Sequence, residues 1–224
     1  MTRRVWLSAI LLAAATAFVA GQTAGVHPIS GRRYAQVMDA SGAPWLDRVE
    51  RDEEEAPDEA INIIGVKKGA TVADIGAGSG YMTVKLAKRV GATGVVYAND
   101  IQPAMIALLE KRMASAKLAN VRPILGALDD PKLPAAAIDL ALMVDVYHEL
   151  SQPQAMLRHI LDALKPGGRL VLLEYRKEDP SIPIRPEHKM SVAEAKMELE
   201  AEGFKLTRVD AGLPRQHVLI FAKR

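Results

Sequence analysis

One glycine-rich stretch decides the fold, and it reads Val72-Ala73-Asp74-Ile75-Gly76-Ala77-Gly78-Ser79-Gly80-Tyr81. The apolar residues at its start indicate a buried strand, and a helical pattern begins near Tyr81. Glycines between a strand and a helix permit positive φ angles and let a ligand approach the backbone, while the first turn of the helix leaves N–H groups free. The sequence therefore predicts a ligand-binding loop between the first strand and its helix.

The spacing of the glycines narrows the choice of ligand. A glycine loop alone fits dinucleotides, phosphates or an amino-acid-like ligand. The dinucleotide pattern G-x-G-x-x-G/A would place its third small residue at position 81, where this chain has Tyr81. A Walker-type phosphate loop ends in Gly-Lys-Ser/Thr, and Gly80-Tyr81-Met82 supplies neither the lysine nor the hydroxyl. What remains is G-x-G-x-G after a strand that carries Asp74.

A carboxylate ends the second predicted strand. This residue is Asp100, 20 residues after Gly80. A carboxylate at the tip of this strand is well placed to accept two hydrogen bonds from a ribose diol. The ligand is therefore expected to contain a ribose.

Outward from the loop, short apolar runs alternate with amphipathic stretches from about Pro57 onward, which is typical of βαβ units. Seven strands are predicted, with helical patterns between the first five, at residues 71–75, 95–100, 122–125, 138–144, 169–175, 204–210 and 217–222. Residues 211–216 are too short for a parallel crossover, so the last two strands should be antiparallel. The predicted fold class is α/β, a seven-stranded Rossmann-like doubly wound sheet, mostly parallel with an antiparallel final strand.

Two helix starts in this region carry the pattern of a capping box. They are Ser151-Gln152-Pro153-Gln154 and Ser191-Val192-Ala193-Glu194. In such a box the first hydroxyl accepts from the backbone N–H three residues later, and the Glu or Gln side chain bonds back. Both segments are predicted to begin helices.

The composition excludes several kinds of chemistry. The chain has 224 residues, 49% of them hydrophobic and 25% charged, and no cysteine. Thiolate nucleophiles, zinc–cysteine sites, iron–sulfur clusters and disulfides are therefore excluded within the chain. The 29 basic and 27 acidic residues give a formal charge of +2, which is too balanced to indicate a nucleic-acid partner or an anionic membrane surface.

The first residues resemble an export signal. Arg3 and Arg4 precede an apolar stretch over residues 5–20, and small residues follow around Gly21. This is the pattern of a signal peptide over residues 1–21, either cleaved or kept as an anchor. Thr2-Arg3-Arg4-Val5-Trp6-Leu7 also resembles a twin-arginine signal, with a plain basic start as the alternative. The expected location is the periplasm or cell envelope, with membrane contact only through an uncleaved leader.

Several motifs together resemble the class I S-adenosylmethionine-dependent methyltransferases over roughly residues 57–222. They are the loop at 74–80, Asp100, the stretch 129–134, Ile138-Asp139-Leu140, Leu164-Lys165-Pro166-Gly167-Gly168 and the closing antiparallel pair. The resemblance implies a methyltransferase domain at 57–224, S-adenosyl-L-methionine as cofactor, and a leading segment at 22–56 that folds over the pocket as a lid. The acidic run at 50–55 in that segment is interpreted as a solvated helix face.

The resemblance also assigns residues to the cofactor. They are Asp74, Gly76, Gly78, Gly80, Asp100, Ile101, Asp129 and Asp145. Among these, Asp74 would order the loop, Asp100 would bind the ribose and Ile101 would lie against adenine. Asp129 either meets the adenine amino group or is an ordinary residue of a surface turn.

The segment after the fourth strand carries the candidate catalytic residues. His148 is the candidate general base because imidazole titrates near neutral pH, and the alternative is a histidine that only shapes the pocket. Tyr147 either orients the acceptor or packs on the cofactor. Metal-dependent relatives carry acids after both the fourth and fifth strands, and Glu174-Tyr175 does not reproduce the second. The sequence therefore predicts metal-independent activity and no metal site.

The predicted function is methylation of an oxygen or nitrogen of a small molecule. Basic residues in the expected edge loops favour an anionic acceptor, unless these are ordinary solvated charges; they include Arg32, Arg33, Arg176, Arg185, Lys189 and Arg215. A nucleic-acid acceptor is disfavoured because no Asn/Asp-Pro-Pro-aromatic stretch follows the fourth strand. The alternative function is a catalytically inactive module that binds S-adenosylmethionine or a nucleoside on the same fold.

Overall fold

The structure is a computed structural model that describes residues 25–224, so the predicted leader at 1–21 lies outside the described residues. Within residues 25–224, no helix has the length and apolar character needed to span a bilayer. The helices are α1 (Ala43–Leu46), α2 (Arg51–Glu55), α3 (Pro57–Ile64), α4 (Tyr81–Val90), α5 (Pro103–Ser115), α6 (Pro153–Ala163) and α7 (Val192–Ala201). The strands are β1 (Thr71–Ile75), β2 (Val95–Asp100), β3 (Val121–Leu125), β4 (Ile138–Val144), β5 (Leu164–Tyr175), β6 (Phe204–Asp210) and β7 (Gln216–Lys223).

The seven strands form one sheet in the order β3-β2-β1-β4-β5-β7-β6. Strands β1 to β5 pair in parallel, and β7 runs antiparallel to both β5 and β6. Because the strand order reverses between β1 and β4, their connections diverge and leave a crevice at the carboxyl ends of these strands. The predicted fold class is confirmed.

Helices pack on both faces of the sheet, and alternate residues of a strand face opposite cores. Val72 of β1 packs in one core with Ile61 of α3 and Leu86 of α4. The next residue, Ala73, packs in the other core with Leu157 of α6. A parallel strand that is buried on both faces needs a continuous apolar run, which is why β1 and β4 are recognisable in the sequence.

The connection from β3 to β4 differs from the prediction. Residues 126–137 contain no helix, so the helical pattern expected between these two strands is wrong. Pro131 and Pro134 remove two backbone donors. Lys132 and Ala136 adopt φ angles of 53° and 48°, which a right-handed helix does not allow. The chain therefore crosses between the strands as an irregular loop.

One of the two predicted capping boxes forms. The Ser191 hydroxyl accepts the Glu194 N–H at 3.1 Å, and the Glu194 carboxylate accepts the Ser191 N–H at 3.0 Å. The prediction of a box at 151–154 is wrong, because α6 begins at Pro153 with Gln152 as its N-cap. Gln154 is then the second helical residue, where its side chain cannot close a box.

A buried ion pair fastens the segment before α3 to the rest of the domain. Arg32 donates to the carboxylate of Glu198 in α7 from Nε at 2.8 Å and from Nη2 at 3.0 Å. Its Nη1 also donates to the backbone carbonyl of His148 at 3.0 Å. Because both charged side chains are buried, the segment packs as part of the domain.

Candidate active site

A cavity of about 600 Å³ opens at the carboxyl ends of β1, β2 and β4. It is bounded by the glycine loop, the end of β2, the turn after β4, part of the segment before α3 and the loop before α7. A doubly wound sheet is expected to bind ligands at this position. The predicted site residues that line the cavity are Asp74, Gly76, Gly78, Asp100, Ile101, Asp145 and His148.

The first two glycines of the loop are required by their surroundings. Gly76 has a φ of 72°, and a Cβ there would lie 2.5 Å from the Val146 side chain. Gly78 has a φ of 54°, and a Cβ there would lie 2.8 Å from Leu46. Both glycines line the cavity, and neither carries a side chain. The loop therefore offers bare backbone to a ligand, as expected for the methionine part of the cofactor.

Asp100 connects the end of β2 with the glycine loop. Its Oδ2 accepts the N–H of Gly78 at 2.9 Å, and its Oδ1 accepts the N–H of Gln102 at 2.9 Å. Burial raises the pKa of Asp100 above its ordinary value, opposed by these backbone donors. Each carboxylate oxygen keeps a further lone pair, so the group can still accept hydrogen bonds from a ribose. These contacts fit the predicted role of Asp100.

Asp74 lies behind the loop. The Thr83 hydroxyl, in the first turn of α4, donates to its Oδ2 at 2.6 Å. Burial raises the pKa of Asp74 to about 6. This carboxylate fastens the strand to the start of the helix, which fits the predicted role in ordering the loop.

Replacing Asp74 with asparagine should change how stability depends on pH. An unfolded aspartate has a pKa of about 3.9, which is below the pKa of Asp74 in the folded protein. Between about pH 4 and 6, folding is therefore accompanied by the uptake of a proton at Asp74. The contribution of Asp74 to stability therefore falls as pH rises through this window. Asp74→Asn lacks this titration. The difference in free energy of unfolding, variant minus wild type, should therefore rise by on the order of 1–3 kcal/mol from pH 4 to pH 7.

Urea denaturation across this pH range measures the shift, and Asp139→Asn is the matched control. Partial burial raises the pKa of Asp139, but the Lys165 ammonium, 2.8 Å away, outweighs this effect together with the backbone N–H of Thr71, and the pKa is lowered. The control variant should therefore lose stability relative to the wild type as pH rises. A pH-independent difference for Asp74→Asn would contradict the raised pKa.

Two predicted cofactor residues do not line the cavity. A Cβ on Gly80 would lie 2.7 Å from Leu109 of α5, so this glycine allows helix packing instead of ligand contact. In the loop after β3, the Ala127 N–H donates to the Asp130 carbonyl at 2.8 Å, and this turn places Leu128 on the cavity wall instead of Asp129. The cofactor assignments of Gly80 and Asp129 are therefore corrected.

His148 lines the same cavity as the glycine loop. Its Nδ1 is 2.6 Å from a carboxylate oxygen of Glu174, and its Nε2 is 3.2 Å from Nδ1 of His188. Burial disfavours the charged imidazole, but the adjacent Glu174 outweighs this effect, and the pKa of His148 is raised. Burial also raises the pKa of the neighbouring Glu149 to about 7. Glu149 can therefore exchange a proton near neutral pH.

Tyr147 does not reach the cavity. Its side chain is fully buried, and the Arg32 guanidinium lies 5.2 Å from the centre of its ring. The turn at Tyr147–Glu149 directs His148 to the cavity and its neighbour to the core. The prediction of a direct catalytic role for Tyr147 is therefore wrong.

Sequence reasoning missed a buried polar cluster around Glu55. The Tyr175 hydroxyl donates to Glu55 at 2.8 Å, and Arg48 and Arg51 each pair with its carboxylate at 2.7 Å. Glu55 is thus a cavity residue and not part of a solvated helix face. The i, i+4 spacing of Arg51 and Glu55 is the signal that could have indicated a pair here.

Asp145, at the end of β4, is next to this cluster. Gln216 donates to its Oδ2 at 2.6 Å. Burial, together with the charges of Glu55 and Glu174, raises the pKa of Asp145 well above its ordinary value. The residue also has a φ of 53°, a left-handed conformation that is uncommon outside functional sites and turns.

Most of the basic residues expected at the rim are engaged elsewhere. Arg32 pairs with Glu198, Arg176 donates to the carbonyls of residues 213, 214 and 216, and Lys189 donates to those of residues 179 and 182. Arg185 does line the cavity; its side chain is 80% exposed and lies 3.8 Å from a carboxylate oxygen of Glu187. The support for an anionic acceptor therefore comes from Arg185 and not from a general basic rim.

Known proteins with similar sequences are methyltransferases. A family described as a methyltransferase domain matches residues 72–168. The ubiquinone/menaquinone biosynthesis C-methyltransferase UbiE of Salmonella arizonae is 30% identical over 118 residues, which are 52% of this chain and 47% of that protein. The chain thus spans about half the length of the curated relatives it matches.

Solved structures extend the comparison to most of the chain. A methyltransferase from Mesorhizobium loti, 18% identical with a TM-score of 0.60, covers 75% of this chain and 96% of its own, and shows the fold alone. An S-adenosylmethionine-dependent methyltransferase from Aquifex aeolicus has a TM-score of 0.77 and 30% identity over 83% of this chain and 98% of its own. Together with the glycine loop and Asp100, this similarity shows that the chain belongs to the class I S-adenosylmethionine-dependent methyltransferases.

Proposed function

We propose that the protein transfers the methyl group of S-adenosylmethionine to an oxygen or nitrogen atom of a small molecule. The observation that carries the proposal is that one cavity contains both the glycine loop with Asp100 and a polar wall of His148, Glu149 and His188. An acceptor bound against this wall shares the cavity with the cofactor. Such proximity is what group transfer mainly requires of a protein.

His148 is the residue that we place at the acceptor. When bound, S-adenosylmethionine supplies an activated methyl group: the acceptor lone pair forms the new bond, and the electrons of the broken carbon–sulfur bond leave with the sulfur of S-adenosylhomocysteine. Because Glu174 holds Nδ1 of His148 at 2.6 Å, the nitrogen that would take up the acceptor's proton is Nε2, which lies 3.2 Å from Nδ1 of His188 before an acceptor binds. Glu174 is then a positioning residue that also stabilises the imidazolium.

Methyl transfer from radiolabelled S-adenosylmethionine to panels of carboxylic acids, phenols and amines tests the function. We expect an acid or phenol to be preferred, since Arg185 lines the cavity. A preference for cationic amines would contradict the anionic acceptor. Binding of the cofactor with no transfer to any panel or to envelope extracts would favour the inactive binding module.

Carbon methylation is the second candidate. It is favoured by the 30% identity to UbiE, which is named as a C-methyltransferase. Nuclear magnetic resonance of the methylated product distinguishes the two, because a methyl group on carbon has a different chemical shift from one on oxygen or nitrogen.

Replacing Asp100 with alanine should weaken the binding of S-adenosylhomocysteine. Loss of hydrogen bonds to a carboxylate is worth about 1–3 kcal/mol, which corresponds to roughly a 5- to 150-fold higher Kd in calorimetry. Asp129→Ala is the matched control, because Asp129 does not line the cavity. Unchanged affinity in Asp100→Ala would refute the ribose role, and an equal loss in Asp129→Ala would restore the adenine role of Asp129.

We also propose that the protein is exported to the periplasm or cell envelope. The support is the sequence of residues 1–21, with Arg3 and Arg4 before an apolar stretch. N-terminal sequencing of the native protein from cell fractions tests this proposal. An envelope protein that starts near Gln22 supports export, whereas a cytosolic protein that starts at Met1 contradicts it.

A further inference from the structure

Two histidines and a glutamate face one another in the polar wall of the cavity. Nε2 of His148 lies 3.2 Å from Nδ1 of His188, and the two rings are inclined at 80°. One carboxylate oxygen of Glu149 and the two nitrogens all lie within 4.8 Å of one another. The three residues come from the separate turns Tyr147–Glu149 and Pro186–His188, so the tertiary fold assembles them.

The separation of the two nitrogens fits a shared metal ion. With metal–nitrogen bonds of about 2.0–2.1 Å, nitrogens 3.2 Å apart subtend an angle of about 100° at the ion. This value lies between those of octahedral and tetrahedral coordination. The Glu149 oxygen must move by at most about 1.5 Å to complete the set, which rotation of a flexible side chain provides.

Glu174 provides independent support for a metal site. Its Oε2 lies 2.6 Å from Nδ1 of His148, and its Oε1 accepts the N–H of Tyr147 at 2.9 Å. A carboxylate at Nδ1 keeps the proton there and leaves the lone pair of Nε2 directed at His188. Histidines that bind metals almost always have such a partner on their other nitrogen.

The wall also carries negative charge for a cation to balance. Glu174 is fully buried and Glu149 is partly buried. Within residues 25–224, no lysine or arginine forms an ion pair with either carboxylate, and the cationic partner of Glu174 is His148 when its imidazole is protonated. A divalent ion bound at Nε2 of His148 would take the place of the imidazolium proton as the positive charge beside the two carboxylates.

We infer that His148, His188 and Glu149 bind one divalent first-row transition-metal ion, such as Zn²⁺, Mn²⁺ or Fe²⁺. Two imidazoles and a carboxylate suit these ions better than Mg²⁺ or Ca²⁺, which take oxygen ligands. Three protein ligands leave coordination positions open, and here they open into the cavity. The inference departs from the metal-independent activity that the sequence predicts.

The ion would act on the methyl acceptor. Bound to an acceptor hydroxyl oxygen, it would lower the pKa of that group, so that the acceptor could lose its proton to solvent and keep a lone pair for methyl transfer. This role replaces proton uptake by His148, because the metal occupies Nε2. The role in catalysis rests on the proposed function, whereas metal binding itself does not.

Calorimetric titration of chelator-treated, tag-free protein with Zn²⁺ tests the site. We expect one ion per chain, and a Kd for Zn²⁺ that is higher by about 100-fold or more in His188→Ala and in Glu149→Gln. Both residues are only partly buried, so these variants should fold. The matched control is His159→Ala, which removes a histidine that is 51% exposed outside the cavity and should bind Zn²⁺ as the wild type does.

Absence of Zn²⁺ binding, or equal binding by His188→Ala and the wild type, would overturn the inference. An equal loss in His159→Ala would also do so. Titration of the same metal-free samples with S-adenosylhomocysteine separates this result from the proposed function: cofactor binding without a metal site overturns only the metal inference. Loss of cofactor binding with an intact metal site would instead contradict the proposed function.

Discussion

Replacing Glu198 with glutamine is expected to lower the free energy of unfolding by about 3–5 kcal/mol, because it leaves the buried Arg32 without a counter-charge. The carboxylate is fully buried and accepts two hydrogen bonds from Arg32, at 2.8 and 3.0 Å. It also accepts from the Ser30 hydroxyl and lies 3.3 Å from Nε2 of His27. A neutral amide keeps the volume but offers one acceptor atom in place of two charged ones.

Urea denaturation measures this loss, and Glu202→Gln is the matched control. Glu202 pairs with Arg158 at 3.2 Å on the surface, where Arg158 is 63% exposed. Exposed pairs contribute about 0–1 kcal/mol, so the control should unfold nearly as the wild type does. The double variant Arg32→Met, Glu198→Leu should recover part of the stability, because removing both charges avoids the unpaired cation. Equal stability of Glu198→Gln and Glu202→Gln would contradict the argument.

Replacing Gly76 with alanine is expected to raise the Kd for S-adenosylhomocysteine on the order of 100-fold or more. A left-handed conformation is unfavourable for alanine by about 1–2 kcal/mol, and overpacking against Val146 adds about 1–3 kcal/mol. The free protein can relieve this strain by moving the loop. Binding must then restore the strained loop, so the strain weakens affinity, and each 1.4 kcal/mol is about tenfold in Kd.

Gly65→Ala provides the matched control for this variant. Gly65 has a φ of 68°, close to the 72° of Gly76, but a Cβ there would meet nothing within 4 Å. The control should lose about 1–2 kcal/mol of stability and keep the cofactor affinity of the wild type. If both variants bind S-adenosylhomocysteine as the wild type does, the close approach of the Gly76 backbone to the cofactor is refuted.

The sequence predicts the part of the site that the ends of β1 and β2 and the glycine loop build. Asp74, Gly76 and Asp100 lie at strand ends, and the parallel topology brings strand ends to the same edge. Gly80 is misassigned because its neighbour, Leu109, lies in α5 and is remote in sequence. Contacts of this kind depend on how helices pack, which the local pattern does not contain.

The polar wall and the cluster around Glu55 are less predictable for the same reason. His148 is placed correctly, but its contact with His188 joins two turns that are 40 residues apart. Glu55 belongs to an acidic run that is typical of a solvated surface, and only the fold shows it buried beneath Tyr175. Tyr147 lies in the core and His148 lines the cavity, because the turn that carries them directs the two side chains to different places.

The contacts of Arg32 couple two properties that protein engineers usually adjust separately. The same guanidinium that pairs with Glu198 also holds the carbonyl of His148, and the N–H of Ala35 bonds to that carbonyl at 3.0 Å. Substitutions chosen to improve heat resistance around α7 would therefore shift the position of His148. Conversely, substitutions in this turn that are meant to widen the substrate range would also change the melting temperature.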